Sequence, residues 1–209
     1  MESLIDDNTK AIIINNPSNP CGSVWSVEHI RAIIALAEHY CLPIIADELY
    51  WECAFSGHKF VSFASQSKNV PIISCRGIAK CYAVPGWRVG WLQLHDRNGV
   101  LVDVKKGYRD LSQRILGPNS IIEGALPAIL NNTPQSYFKE MISYVEENAE
   151  IAYNILAKIP SLKPIKPQGA MYMMVGIESQ FLSPDVADEI NFTQQMMREQ
   201  SVFCLPAQV

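Results

Sequence analysis

Four short apolar runs, each followed by polar or turn-forming residues, predict buried β-strands in the first half of the chain. The runs are Ala11–Asn15, Leu42–Ala46, Pro71–Ser74 and Trp91–Leu94. Apolar residues also recur at helical spacing between the first two runs, after Ser26, a residue type that caps helices. These positions are Ile30, Ile33, Ile34 and Ala37. Strands that alternate with helices are typical of an α/β fold with a mostly parallel sheet covered by helices.

The second half of the chain has a different pattern. Residues 135–159 predict one long helix, because apolar residues recur there at steps of three and four. They are Phe138, Met141, Ile142, Val145, Ala149, Ala152 and Leu156. A strand at Met171–Val175 and a helix over residues 185–200 are predicted to follow. We expect a domain boundary near the long helix, which divides the chain into residues 1–145 and 146–209.

Composition narrows the function classes. The net charge of −4, without a run of lysine or arginine, disfavours nucleic acid or an anionic membrane as a partner. The apolar runs are too short to span a bilayer, and the amino terminus does not resemble a signal peptide. None of the six cysteines forms a Cys-x-x-Cys pair, which favours reduced thiols in the cytosol. The four histidines lack metal-ligand spacing, so no metal is expected.

Polar residues that could bind a ligand or take part in catalysis follow the predicted strands, where open sheets of this class bind ligands. Lys80 lies among small and apolar neighbours in Gly77-Ile78-Ala79-Lys80. A lysine is usually a solvated charge, but partial burial favours the neutral amine, which is nucleophilic. Asp47 ends a strand. It is either a helix cap or turn former, or a carboxylate that keeps a heterocyclic nitrogen protonated. Tyr50 is either a core tyrosine or a hydrogen-bond donor to a ligand.

Two glycine-containing segments complete the candidate chemistry. Arg88 lies in Pro85-Gly86-Trp87-Arg88-Val89-Gly90. Its guanidinium suits a surface ion pair and a phosphate equally well, and the glycines allow backbone to approach a ligand closely. The loop Asn16–Gly22, with Asn19 near its centre, is rich in turn-forming residues and needs no function to explain it.

In this order, the motifs resemble those of the class I and II aminotransferases. That family has an Asn-Pro-x-Asn-Pro-x-Gly loop, an Asp-Glu-x-Tyr strand end, and a lysine followed eight residues later by an arginine. Here these correspond to Asn16–Gly22, Asp47–Tyr50, Lys80 and Arg88. The resemblance implies the fold of type I pyridoxal-phosphate (PLP) transferases, with a partial large PLP-binding domain at 1–145 and part of a smaller α+β domain at 146–209.

The resemblance also implies a role for each residue. Lys80 would be catalytic, since it would hold PLP and then move a proton between the substrate α-carbon and the cofactor. Asp47 would pair with the pyridine nitrogen of PLP. Tyr50 and Asn19 would donate hydrogen bonds to its 3-oxygen, and Arg88 would bind its phosphate.

Several other segments resemble the tyrosine aminotransferase branch of this family. They are Asn15–Ser23, Val84–Gly90, Leu111–Leu126, Gly169–Gly176 and Glu199–Ala207. This likeness implies transfer of an amino group from an aromatic L-amino acid, tyrosine first, to 2-oxoglutarate. The partners would be the small-molecule amino acid and 2-oxo acid, together with a second identical subunit. The expected compartment is the cytoplasm, with the mitochondrion also open.

The chain departs from the family pattern in two respects. Gly77 stands where many members have a serine that binds phosphate. The family's amino-terminal phosphate site and stacking aromatic ring, and its carboxyl-terminal substrate arginine, have no counterpart here, so we expect a partial chain. Two alternatives therefore stay open. One is a PLP-dependent carbon–sulfur lyase or aminocyclopropane-carboxylate synthase on the same fold, and the other is an inactive fragment.

Overall fold

A four-stranded sheet forms the centre of the protein, for which a computed structural model describes residues 1–186 and 188–208. Its strands, in spatial as well as chain order, are β1 (Ile12–Asn15), β2 (Ile44–Asp47), β3 (Ile72–Gly77) and β4 (Gly90–His95). The first three strands are parallel, and β4 is antiparallel to β3. The predicted α/β fold with a mostly parallel sheet is therefore confirmed, and each strand lies within three residues of its predicted ends.

Helices surround this sheet and extend beyond it. They are α1 (Val27–His39), α2 (Phe63–Gln66), α3 (Val102–Ile115), α4 (Ser120–Asn132), α5 (Gln135–Leu156) and α6 (Glu189–Gln200). Short 3₁₀ turns occupy Glu2–Leu4, Pro85–Trp87, Ser179–Phe181 and Pro184–Val186. An antiparallel pair, β5 (Leu162–Pro164) and β6 (Val175–Ile177), follows α5 in the chain. Within the described ranges, none of the helices combines the length and apolar character needed to cross a membrane.

The main core lies between the sheet and α1. The Ser26 hydroxyl begins this helix by accepting a hydrogen bond from the backbone N–H of His29 at 3.2 Å. All four apolar positions that predicted α1 are buried against isoleucines of the first three strands. The opposite face of β1 is more open, since the side chain of Ile13 is 73% exposed. Strand β1 is therefore buried on the face toward α1 and open at Ile13 on the other face.

Two predicted elements differ from the structure. The predicted strand Met171–Val175 is wrong over most of its length, because β6 begins only at Val175. Regular pairing with β5 covers only Val175–Ile177. Just before the predicted strand, Ala170 has a positive φ of 57° and donates a hydrogen bond to the Cys53 carbonyl. Helix α6 begins at Glu189, with Asp188 as its N-cap, rather than near residue 185. Residue 187, inside the predicted helix, and residue 209, at the end of the predicted second domain, lie outside the described residues.

A buried ion pair connects β3 to the end of β2. Glu48 is completely buried, and its carboxylate accepts hydrogen bonds from Arg76 Nη2 at 2.7 Å and Nε at 3.0 Å. The same carboxylate accepts from the Phe63 N–H at 3.0 Å and from the Ser62 hydroxyl at 3.1 Å. A buried carboxylate is tolerated only when its oxygens are satisfied in this way, so the pair fixes the spacing of the two strand ends.

Replacing Glu48 with alanine should lower the free energy of unfolding by about 3–5 kcal/mol, because Arg76 would keep its charge in a mostly buried setting without a partner. Urea denaturation followed by circular dichroism measures the change. Glu178→Ala provides the control, since its ion-pair partner Lys163 is largely exposed and the pair should contribute less than about 1 kcal/mol. Equal losses in the two variants would contradict a structural role for the buried pair.

Candidate active site

The carboxyl ends of the three parallel strands bring polar side chains into one row. In the strand register, Asn15 pairs with Asp47, and Asp47 pairs with Cys75. Asp47 is half-buried, and its carboxylate accepts a hydrogen bond from the Leu49 N–H at 3.2 Å. The Asn15 side-chain amide donates to the Asp47 carbonyl oxygen at 3.4 Å. The Asp47 carboxylate is thus held at the sheet edge where ligands of α/β proteins bind.

Tyr50 and Lys80 lie beside this edge. The half-buried Lys80 places its Nζ 6.0 Å from the centre of the Tyr50 ring. Tyr50 itself is only 2% exposed. Burial raises the pKa of Tyr50 above its usual value of 10.0, and the negative charge of Asp47 raises it further. The Tyr50 hydroxyl therefore keeps its proton at neutral pH and remains able to donate it in a hydrogen bond.

Gly77 occupies a position that has no room for a side chain. A Cβ atom there would lie 2.9 Å from the Val89 carbonyl oxygen and 3.3 Å from the Gly90 Cα. This crowding arises because Gly77 and Gly90 are paired across β3 and β4. A serine at position 77 would force the two strands apart, so the glycine noted in the sequence is a packing requirement of this chain.

Arg88 and Asn19 are placed on exposed loops next to the strand ends. Arg88 has a positive φ of 54°, and its Nη1 donates to the Pro85 carbonyl at 3.0 Å, within its own turn. Asn19 is anchored through its backbone N–H, which donates to the Asn15 side-chain oxygen. Among the described hydrogen bonds, neither side chain contacts Asp47, Tyr50 or Lys80. The structure thus groups three of the five candidate residues and places the other two on adjoining loops.

Tyr172 also belongs to this site, although the residue pattern alone did not select it. Its hydroxyl oxygen lies 2.6 Å from that of Tyr50, and the two rings are nearly perpendicular, with centroids 5.7 Å apart. The two tyrosines are 122 residues apart in the chain. The only signal in the sequence was the place of this aromatic residue directly after Gly169-Ala170-Met171. Periodicity cannot show which distant residue it contacts.

Tyr172 is brought to the site by residues 167–172, which we term the docking segment. Gln168 makes three hydrogen bonds: its N–H donates to the Gly22 carbonyl at 2.7 Å, its side-chain oxygen accepts from the Val24 N–H at 3.0 Å, and its carbonyl accepts from the Phe55 N–H at 2.9 Å. A fourth hydrogen bond runs from the Ala170 N–H to the Cys53 carbonyl at 2.8 Å. The segment therefore joins the Asn-Pro loop to the chain after Tyr50.

Two glycines allow this close contact. A Cβ atom on Gly169 would lie 2.6 Å from the Cys53 carbonyl oxygen. A Cβ atom on Gly22, which has a positive φ of 65°, would lie 2.6 Å from the Pro167 Cβ. Neither clash can be relieved by moving the end of a flexible side chain, because the obstructing atoms belong to backbone or to a proline ring.

The grouped side chains define what this site can do. A half-buried amine can attack a carbonyl carbon when it is neutral, and it can carry a proton when it is charged. A fixed carboxylate can keep a nearby ring nitrogen protonated, and a protonated phenol can donate to a ligand oxygen. Together these groups suit an aromatic, nitrogen-containing aldehyde better than a metal or a nucleic acid.

Comparison with known proteins gives consistent matches along the whole chain. The family model for aminotransferase class I and II matches residues 1–209. Tyrosine aminotransferase of Mus musculus is 49% identical over 99% of this chain, and that of Caenorhabditis elegans is 52% identical over 100% of it. A crystal structure of tyrosine aminotransferase from Leishmania infantum superposes with a TM-score of 0.93, at 33% identity over 98% of this chain. The chain spans 46% of the mouse protein, 44% of the nematode protein and 50% of the Leishmania chain.

Adding a methyl group to Gly169 should separate the docking segment from the loop after Tyr50. We expect Gly169→Ala to lower the free energy of unfolding by about 1–3 kcal/mol, since the new atom overlaps the Cys53 carbonyl. Thermal and urea denaturation measure the loss. Gly124→Ala is the matched control, because its Cβ would meet nothing within 4 Å on α4 and should be neutral or slightly stabilising. A Gly169→Ala variant as stable as the wild type would contradict the close contact.

Proposed function

The chain belongs to the class I and II aminotransferases, and from that premise we propose that it forms part of a PLP-dependent enzyme that moves the amino group of an aromatic L-amino acid to 2-oxoglutarate. Tyrosine is the proposed donor, and the products are its 2-oxo acid and glutamate. The choice of tyrosine is supported by the relatives named tyrosine aminotransferase, which match nearly the whole chain.

The observation that carries this proposal is the grouping of Lys80, Asp47 and Tyr50 at one edge of a parallel sheet. The family depends on PLP, and the donor types fit this cofactor. An amine is required for its aldehyde, a carboxylate for its ring nitrogen and a phenol for its 3-oxygen. When bound, PLP supplies an electron sink that stabilises negative charge at the substrate α-carbon.

The residues of this chain would share the remaining work. Lys80 holds the cofactor through its amine and, once released, moves a proton at the substrate α-carbon. Asp47 keeps the proton on the cofactor's ring nitrogen, since its carboxylate is anchored by the Leu49 N–H. Tyr50 and Asn19 donate to the 3-oxygen, and burial keeps the Tyr50 proton in place.

Arg88 is the proposed phosphate ligand. Its guanidinium has five N–H donors, and the hydrogen bond to the Pro85 carbonyl uses only one nitrogen. The exposed position of this side chain leaves its other donors open to a phosphate. Position 77 is a glycine, so it supplies no hydroxyl to assist Arg88.

The proposal also covers the oligomeric state, the cellular compartment and the division into domains. A homodimer is supported by the family resemblance. A reducing compartment, the cytoplasm, is supported by six free cysteines. We place a large PLP-binding domain at 1–145 and part of a smaller domain at 146–209. Helix α5 passes through that division without a break, so it would connect the two domains rigidly.

Borohydride reduction of the chain mixed with PLP should fix the cofactor on Lys80. Peptide mass spectrometry then locates the modified lysine. We expect label chiefly on Lys80, loss of that label in Lys80→Ala, and no loss in Lys105→Ala, which removes an exposed lysine on α3. Label spread over many surface lysines, unchanged in Lys80→Ala, would overturn the proposal.

Adding L-tyrosine before the reduction tests the donor in the same experiment. Tyrosine should displace the cofactor from Lys80 and lower the label there, whereas L-aspartate at the same concentration should lower it less. Equal displacement by both amino acids would contradict the preference for an aromatic donor. In the presence of 2-oxoglutarate, the reaction should yield glutamate without free ammonia, which distinguishes amino transfer from a lyase.

A further inference from the structure

We propose that Tyr172 is a positioning residue that directs the Tyr50 hydroxyl toward the 3-oxygen of the bound cofactor. The inference rests on the proposed function, in which Tyr50 donates to that oxygen. It adds a role for a residue in the carboxyl-terminal part of the chain, outside the four motifs that carry the family resemblance.

The distance between the two hydroxyls is the first argument. At 2.6 Å, Tyr50 and Tyr172 share a short hydrogen bond, and either oxygen can be its donor. Each hydroxyl has one proton and can accept through its lone pairs. If Tyr172 donates, the Tyr50 proton is free for an outside acceptor, and both hydroxyls are satisfied when an acceptor oxygen is bound. Among the described hydrogen bonds, the Tyr50 hydroxyl has no other partner.

The rigid placement of Tyr172 is the second argument. The backbone just before it is fixed by Gly169 and by Ala170, which is 1% exposed and bonded to the Cys53 carbonyl. The Tyr172 carbonyl oxygen lies 2.7 Å from the place a Gly22 Cβ would take, so this residue also abuts the Asn-Pro loop. The perpendicular ring contact with Tyr50 then sets the direction of the Tyr172 hydroxyl.

The electrostatic environment of Tyr50 favours a chain of two hydrogen bonds, from Tyr172 to Tyr50 and from Tyr50 to the cofactor. Burial raises the pKa of Tyr50, and the nearby charge of Asp47 raises it further, so Tyr50 acts as a neutral donor. A hydroxyl that accepts one hydrogen bond becomes a stronger donor in the next, because the bonds polarise each other. Tyr172 would in this way strengthen the hydrogen bond that Tyr50 gives to the cofactor.

Replacing Tyr172 with phenylalanine removes one oxygen and keeps the ring. A strong donor at the 3-oxygen favours the form of the bound cofactor that has lost its proton. A weaker donor should therefore raise the pH midpoint of the cofactor's visible absorbance change, by about half a pH unit in Tyr172→Phe. The measurement is a pH titration of the PLP-loaded chain, with the melting temperature recorded to exclude a loss of packing.

Three further variants show whether Tyr172 acts through Tyr50. Tyr50→Phe should raise the midpoint more than Tyr172→Phe does, and adding Tyr172→Phe to it should cause no further rise. Tyr144→Phe, which alters an exposed tyrosine on α5, should leave the midpoint unchanged. A Tyr172→Phe midpoint equal to that of the wild type, or a shift that persists in the Tyr50→Phe background, would overturn the inference.

The outcomes also separate this inference from the proposed function. A wild-type chain that fails to load PLP on Lys80 overturns the proposed function and this inference together. A chain that loads PLP on Lys80 but has the same midpoint with and without the Tyr172 hydroxyl overturns the inference alone.

Discussion

Glu48 carries its carboxylate inside the protein, and the arrangement of the strand ends depends on how that charge is compensated. Arg76 reaches it from β3 through two nitrogens and also lies over the Trp51 ring, 5.6 Å from its centre. Successive side chains of an extended chain point to opposite faces, so burying Glu48 directs Asp47 away from the core. Lys80 follows Arg76 by four residues. The buried ion pair thus links the orientation of the carboxylate to the position of the amine.

The docking segment adds a second constraint from a distant part of the chain. Its hydrogen bonds from Gln168 and Ala170 hold residues near the Asn-Pro loop and near Cys53 at fixed spacing. Tyr172 is carried in by the same segment and meets Tyr50. The carboxyl-terminal part of the chain therefore contributes to the site, because it supplies the tyrosine that contacts Tyr50.

Local pattern was sufficient to predict the elements whose stability depends on burying one apolar face. The spacing of Ile30 and Ile33 predicted α1, and the apolar runs located the four strands of the main sheet to within three residues. Strand ends of a parallel sheet meet at one edge, so the proximity of Asp47 to the chain around Lys80 also followed from sequence. Glu48 was not predicted to be buried, because its partner lies on another strand. Tyr172 was not predicted to join the site because its partner lies in a distant segment of the chain. The strand predicted at Met171–Val175 was wrong because regular pairing with β5 begins only at Val175.

We infer that the buried ion pair positions the site. It is tested most directly by the affinity for PLP of the wild-type chain and of Glu48→Gln, measured by absorbance titration where circular dichroism shows both to be folded. Glutamine keeps the size and an acceptor for Phe63 but loses the charge that holds Arg76. The affinity for PLP should fall about tenfold or more in Glu48→Gln, equivalent to at least about 1.4 kcal/mol. An unchanged affinity in a folded Glu48→Gln variant would contradict it.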